Sequence, residues 1–211
     1  MDIFGHYATR FEARKEEEYS IQEYLDICKK DPSAYATAAE RMLQAIGEPQ
    51  MVDTRNDPRL SRIFANKVIK VYPAFAEFYG MEDSIEQVVS YFRHAAQGLE
   101  EKKQILYLLG PVGGGKSSIA ERLKQLMQDV PFYAIKGSPV NESPLGLFDV
   151  TEDGPILESE YGIPRRYLNR ILSPWAVKRL EEFGGDIRQF KVVKRHPSIL
   201  KQVGISKTEP G

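Results

Sequence analysis

Four glycines, a lysine and a serine hold the clearest chemistry in this chain, in the stretch Gly110-Pro-Val-Gly-Gly-Gly-Lys-Ser117. Glycine, four residues, then Gly-Lys-Ser is the spacing of a phosphate-binding loop. Gly113, Gly114 and Gly115 carry no Cβ, so the backbone there can curl and turn its N–H groups toward an anion. The Lys116 ammonium can balance the charge of β- and γ-phosphates, and the Ser117 hydroxyl can ligate Mg²⁺. The expectation is a Mg·ATP site with Lys116 as the catalytic cation and Ser117 as the metal ligand. Its contacts would be Gly110, Gly113, Gly114, Gly115, Lys116, Ser117 and Ser118.

Such a loop needs a strand to deliver it and a helix to receive it. The apolar run Ile105–Leu109 predicts the strand, and Ile119–Met127 has helical spacing. A helix starting near Lys116 would add the positive end of its dipole and its unpaired first-turn donors. Pro131–Lys136 reads as the next strand. A P-loop enzyme also needs an apolar strand ending in an acid to hold the metal and polarise the attacking water. None is found from Ser117 to Gly211: Phe148-Asp149 lies in an acidic, loop-rich stretch, and Val192-Val193 runs into Lys194. No arginine finger or sensor residue is identified. The expectation is therefore an N-terminal fragment of a longer protein, turning over nucleotide slowly or not at all alone.

A second stretch with chemical content precedes the loop. Tyr72, Phe75, Phe78 and Tyr79 cluster ahead of Gly80-Met81, and Asp83 or Ser84 then caps a helix with Ile85, Val88, Val89 and Phe92 on one face. Phe78, Tyr79, Gly80 and Met81 are expected to form an adenine pocket, the alternative being simple packing of a helical region. Residues 1–71 read as a helical N-terminal region and 72–211 as the nucleotide-binding core. Within the first, Ser20 and Glu23 make a capping box for a short helix through Lys29. Asp31-Pro32 predicts a helix from Ser33 to Ile46, and Asp57-Pro58 another from Leu60 to Val71. Tyr7, Phe11, Tyr19, Tyr24 and Tyr35 read as packing residues, since no basic residues interleave regularly with them.

Charge changes sign along the second half. Gly137–Gly162 holds six acidic residues and no lysine or arginine, and its prolines and glycines predict a long loop, functional or mobile. From Arg165 to Lys207 there are eleven Lys and Arg, Arg170 and Lys201 among them, against three acidic residues. That stretch fits a solvated face, a subunit contact or an acidic partner. The whole chain of 211 residues is nearly neutral, at −1, so its charge argues for neither nucleic acid nor membrane. Cys28 is the single cysteine, which excludes a disulfide framework and a cysteine zinc site. His6, His94 and His196 have no metal-ligand spacing. With no signal peptide and no apolar run of spanning length, a cytoplasmic protein is expected.

Three stretches together point to a family: Phe78-Tyr-Gly-Met-Glu-Asp-Ser-Ile85, the phosphate loop, and Gly137-Ser-Pro-Val-Asn-Glu-Ser-Pro-Leu-Gly-Leu-Phe148. With Phe4-Gly-His-Tyr7 and Phe11-Glu12 they closely resemble the bacterial PrkA-type serine protein kinases, over essentially the whole chain. The resemblance implies an α/β fold, a P-loop NTPase core of the AAA type behind a helical N-terminal region. It also implies ATP and Mg²⁺ as cofactors, a protein substrate phosphorylated on serine or threonine, and a homo-oligomer as a further expectation. The glycine-rich loop, His-Arg-Asp and Asp-Phe-Gly motifs of eukaryotic-type protein kinases are absent from the chain. An ATPase that remodels protein partners and a nucleotide-sensing switch stay open beside the kinase.

Overall fold

A computed structural model describes residues 17–99, 103–110, 113–168 and 171–197. His6, Tyr7, Phe11, Pro111, Val112, Arg170, Lys201 and Lys207, named above, lie outside the described residues, as do Phe4, Gly5 and Glu12. In chain order the elements are β1 (Glu17–Ser20), α1 (Ile21–Lys30), α2 (Ala38–Ile46), β2 (Gln50–Asp53), α3 (Pro58–Phe64), β3 (Val68–Val71) and α4 (Glu82–Ala96). They continue with α5 (Lys116–Gln128), β4 (Phe132–Ile135), α6 (Gly154–Tyr161), α7 (Pro174–Glu182) and β5 (Lys191–Arg195). Short 3-10 turns join several of them. The class is mixed α/β, as expected. The chain forms two compact units, one of Met1–Tyr35 with Pro131–Gly211 and one of Ala36–Val130. The boundary expected after residue 71 falls inside the second.

The first unit is built on a three-stranded antiparallel sheet in the order β1-β5-β4. Glu17 pairs with Lys194 and Phe132 with Arg195, so β5 is the central strand. Its Val192 and the neighbouring Ile135 are fully buried in a core with Tyr24, Leu145, Ile163 and Leu168. Helix α1 starts from the predicted box: the Ser20 hydroxyl accepts from the Glu23 N–H, and the Glu23 carboxylate accepts from the Ser20 N–H. Each such cap is worth about 1 kcal/mol. Helix α7 starts at Ser173-Pro174, with the Ser173 hydroxyl accepting from the Ala176 N–H. Tyr24 and Tyr35 are buried, with Tyr24 against Tyr133 and Tyr35 edge-on to Tyr167, which agrees with their reading as packing residues.

The acidic stretch 137–162 is not a long open loop. It contains a 3-10 turn at Pro144–Leu147 and helix α6, and Leu145 and Leu157 insert into the core. Glu142 ties it down, accepting from the Ser173 N–H at 2.5 Å and from the Ser138 and Ser173 hydroxyls at 3.0 and 2.9 Å. Among the other acids, Glu158 pairs with Arg165 at 3.1 Å. Asp149 accepts the Thr151 and Glu152 N–H groups. The bonds from Glu152 and then Thr151 hold its carboxyl below the usual range.

The second unit packs α2, α4 and α5 around Met42, Ile46, Tyr72, Phe75, Ile85, Val88, Val89, Ile119 and Leu123. Here three predicted elements are corrected. The helix expected from Ser33 to Ile46 is interrupted, because a second capping box at Thr37 and Glu40 starts α2 afresh after a 3-10 turn at Pro32–Tyr35. The helix expected from Leu60 to Val71 stops at Phe64, where Ala65 and Asn66 take left-handed backbone. Val68–Val71 is instead strand β3, paired antiparallel with β2. The run Ile105–Leu109 alternates as a strand would: Leu106 and Leu108 pack on the core, while Ile105, Tyr107 and Leu109 stay 90%, 79% and 84% exposed. It belongs to neither sheet among the described residues, so the expected strand is present as a pattern without a ladder. Among those residues no helix is long and apolar enough to cross a membrane.

Candidate nucleotide site

Helix α5 begins where the glycine pattern places it. Gly113 and Gly115 have φ of +80° and +74°, a left-handed backbone that side chains rarely tolerate. Gly115 is the N-cap, makes no side-chain cap, and closes the first turn through the Ile119 N–H at 2.9 Å. The first-turn N–H groups of a 13-residue helix are thus left without a capping side chain. The Lys116 ammonium donates to the Gly110 carbonyl at 2.8 Å, spanning the loop from its last residues to its first. Ser117 and Ser118 are exposed on the first turn.

The predicted base-binding residues come to the same place. Pro73–Phe75 is a 3-10 turn, and the Phe78 N–H continues it by donating to the Phe75 carbonyl at 3.0 Å. This carries Phe78 to Met81 up to the helix start. A Cβ built on Gly115 would lie 2.8 Å from Met81 Sδ, so the thioether fills the space that only glycine leaves free. One open cavity of about 720 Å³ is lined by Phe78, Tyr79 and Met81 on one side and by Gly115, Ser117 and Ser118 on the other. Its size suits a nucleotide-sized ligand. Gly80 faces a different cavity of about 470 Å³, bordered by Ile63, Lys70, Tyr72 and Glu82, with Phe78 and Tyr79 common to both. Gly110, Gly113, Gly114 and Lys116 belong to the loop itself and do not line the first cavity.

Sequence reasoning missed four residues at the first cavity: Glu77, Glu121, Arg122 and Gln125. Ser118, Glu121, Arg122 and Gln125 follow an i, i+3, i+4, i+7 spacing, which marks one face of a helix and was the available signal. The Arg122 Nε donates to the Ala74 carbonyl at 2.7 Å. The donor set fits a phosphate chain: uncapped helix N–H groups, a lysine ammonium and two serine hydroxyls at a backbone turn that a side chain would block. A Mg²⁺ here would take Ser117 Oγ together with phosphate oxygens and water, since the cation keeps most of its shell from such sources. Among the described residues, no group of three or more His, Cys, Asp and Glu is placed to hold a metal.

In the core of the first unit, burial pushes the Cys28 thiol up to about 12, which leaves it protonated and inert near neutrality. Glu86 sits on α4 between Lys70, at 2.7 Å, and Tyr72, at 2.5 Å. Partial burial alone would raise its carboxyl, but the bonds from Lys70 and Tyr72 hold it below the usual range.

A glycine turn that brings a lysine and two serines to a helix start is a phosphate-binding arrangement that many α/β proteins share. The model of the PrkA AAA domain matches residues 19–211, and the chain belongs to that family. It is 68% identical, over its full length, to a protein of Escherichia coli K12 named serine/threonine kinase YeaG, covering 33% of that protein. It is 34% identical, again over its full length, to one of Bacillus subtilis 168 named ATP-dependent protease PrkA, covering 32%. The chain thus spans about a third of the length of the curated relatives it matches. No solved structure matches it.

Proposed function

We propose that this chain is the ATP-binding portion of a serine/threonine protein kinase of the PrkA type. The observation that carries the reading is the apposition of Phe78, Tyr79 and Met81 with Gly115, Ser117 and Ser118 around one cavity. It joins a surface suited to a flat base with donors suited to phosphates, on a single helix start. The kinase part rests on the name of the 68% identical relative. Bound Mg·ATP supplies a transferable γ-phosphoryl group.

The chain's own contribution is positioning and charge. Backbone N–H groups of the loop and first turn would hold the phosphates, and Ser117 would orient the metal. Lys116 would exchange the neutral Gly110 carbonyl for a charged oxygen, a stronger hydrogen bond in the same reach. Phe78, Tyr79 and Met81 would hold the base. The acceptor is a protein substrate, and the protein works as a cytoplasmic homo-oligomer, with neither nucleic acid nor membrane as partner.

A second reading has its own support. The 34% identical relative carries the name of an ATP-dependent protease, which fits an ATPase that remodels or unfolds protein. One experiment separates the two. The full-length protein and its Lys116→Ala variant are given γ-labelled ATP, and label in protein serine and threonine is counted against free phosphate. Label in protein that disappears in the variant is expected. Free phosphate alone, equally dependent on Lys116, would replace the kinase with the remodelling ATPase. Turnover unchanged in the variant would remove the phosphate-loop assignment.

A further inference from the structure

Arg122 lies on α5, one and a half turns beyond Lys116, and no part of the phosphate-loop pattern requires an arginine there. Its Nε donates to the carbonyl of Ala74 at 2.7 Å, across 48 residues of sequence. The same nitrogen is 3.9 Å from the Glu77 carboxylate, and the Arg122 side chain is a third exposed. The acceptor is a specific atom in the aromatic turn. The bonds that shape this turn use the carbonyls of Tyr72, Pro73 and Phe75, accepting from Phe75, Ala76 and Phe78. Arg122 takes the carbonyl in their midst.

The geometry has a consequence for the cavity. Phe78, Tyr79 and Met81 follow four to seven residues after Ala74, and their place beside Gly115 depends on where that turn is held. Tyr79 is 87% exposed, so packing does little to fix it. Arg122 bonds the turn to the helix carrying Lys116, Ser117 and Ser118, and it lines the same cavity as Ser117 and Ser118. A planar guanidinium is suited to this, because its donors are fixed relative to one another and lose little freedom on bonding.

We infer that Arg122 is a positioning residue that sets the base-binding turn against the phosphate loop, so that base and phosphates are read as one ligand. The inference rests on the nucleotide reading above. It makes a prediction that a role in general stability does not. Loss of Arg122 should weaken binding of a ligand that has a base and spare one that has only phosphates.

The test titrates the full-length protein with Mg·ATP and with magnesium tripolyphosphate by calorimetry, for the parent and for Arg122→Ala, Arg122→Lys and Lys116→Ala. Arg122→Ala should weaken ATP about tenfold, the scale of one charge-assisted bond, and leave tripolyphosphate within about twofold. Arg122→Lys, which keeps one donor and the charge, should recover most of the ATP affinity. Backbone amide exchange in residues 74–80 should rise in Arg122→Ala while that of α5 stays unchanged. Lys116→Ala should weaken both ligands. If Arg122→Ala weakens both ligands alike, or leaves ATP unchanged, the positioning role is wrong while the nucleotide site stands. If Lys116→Ala weakens neither, the nucleotide site itself is wrong. Should Arg122→Ala fail to fold, Arg122→Met, which keeps the aliphatic reach and removes every donor, takes its place: a loss confined to ATP is expected, and a loss shared by both ligands or absent from both would overturn the role.

Discussion

In the first unit Tyr24, Ile135, Leu145, Ile163 and Val192 are closed to solvent, and a central strand is paired on both edges. In the second, a five-residue apolar run has one side packed and the other open, and two cavities border the aromatic turn. The first unit spends its side chains on each other. Two of its acids are held by other side chains, Glu142 by two serines and Glu158 by Arg165. In the second, the left-handed Gly113 and Gly115 and the uncapped start of α5 leave donors aimed at no side chain. A region that satisfies its own groups gains stability, and one that leaves donors open retains the capacity to bind.

Substitutions can pull that contrast apart. Leu145→Ala should have the largest effect on stability, about 2–5 kcal/mol, because it opens a cavity at a fully buried site. Thermal unfolding of the full-length protein, followed by amide exchange in β4 and β5, would measure it. Under folding conditions the Kd for Mg·ATP should stay within about twofold of the parent, and a large loss of affinity would break the division of labour. Gly115→Ala should do the reverse. It forces a Cβ into left-handed backbone and to 2.8 Å from Met81 Sδ, a local cost of about 1–3 kcal/mol. The Kd for Mg·ATP should rise at least about tenfold, while exchange in β4 and β5 is unchanged. The smallest effect concerns Glu86, whose carboxyl is held below its ordinary range. Such a group adds stability above the usual carboxylate pKa and loses it as pH falls through the lower folded value. Between about pH 3 and 5, Glu86→Gln should therefore flatten the pH dependence of α4 exchange, by less than about 1 kcal/mol since the pair is partly exposed. Parallel curves for variant and parent would exclude that contribution.

Much of the candidate site was legible beforehand, because the loop's chemistry is local. Glycine at 113 and 115 reports a backbone that only glycine adopts readily, and lysine and serine after it report the helix start. The helix start at Ser20 was legible for the same reason, since its cap is a bond between residues three apart. Thr37 and Glu40 carry an equally local signal, and their capping box rather than Asp31-Pro32 starts α2. Val68–Val71 was mistaken for helix although three of its residues are valine or isoleucine, types that favour strands. Its pairing with β2 outweighed the helical start at Asp57-Pro58.

The sequence by itself determined where the backbone turns and which groups can meet a phosphate, since those properties belong to single residues and their near neighbours. Tertiary structure alone decided that β5 would sit between β1 and β4, that Met81 would lie against Gly115, and that Arg122 would hold Ala74. These contacts join residues 34 to 177 positions apart. Each depends on how the intervening chain packs, and a local spacing pattern holds no record of that.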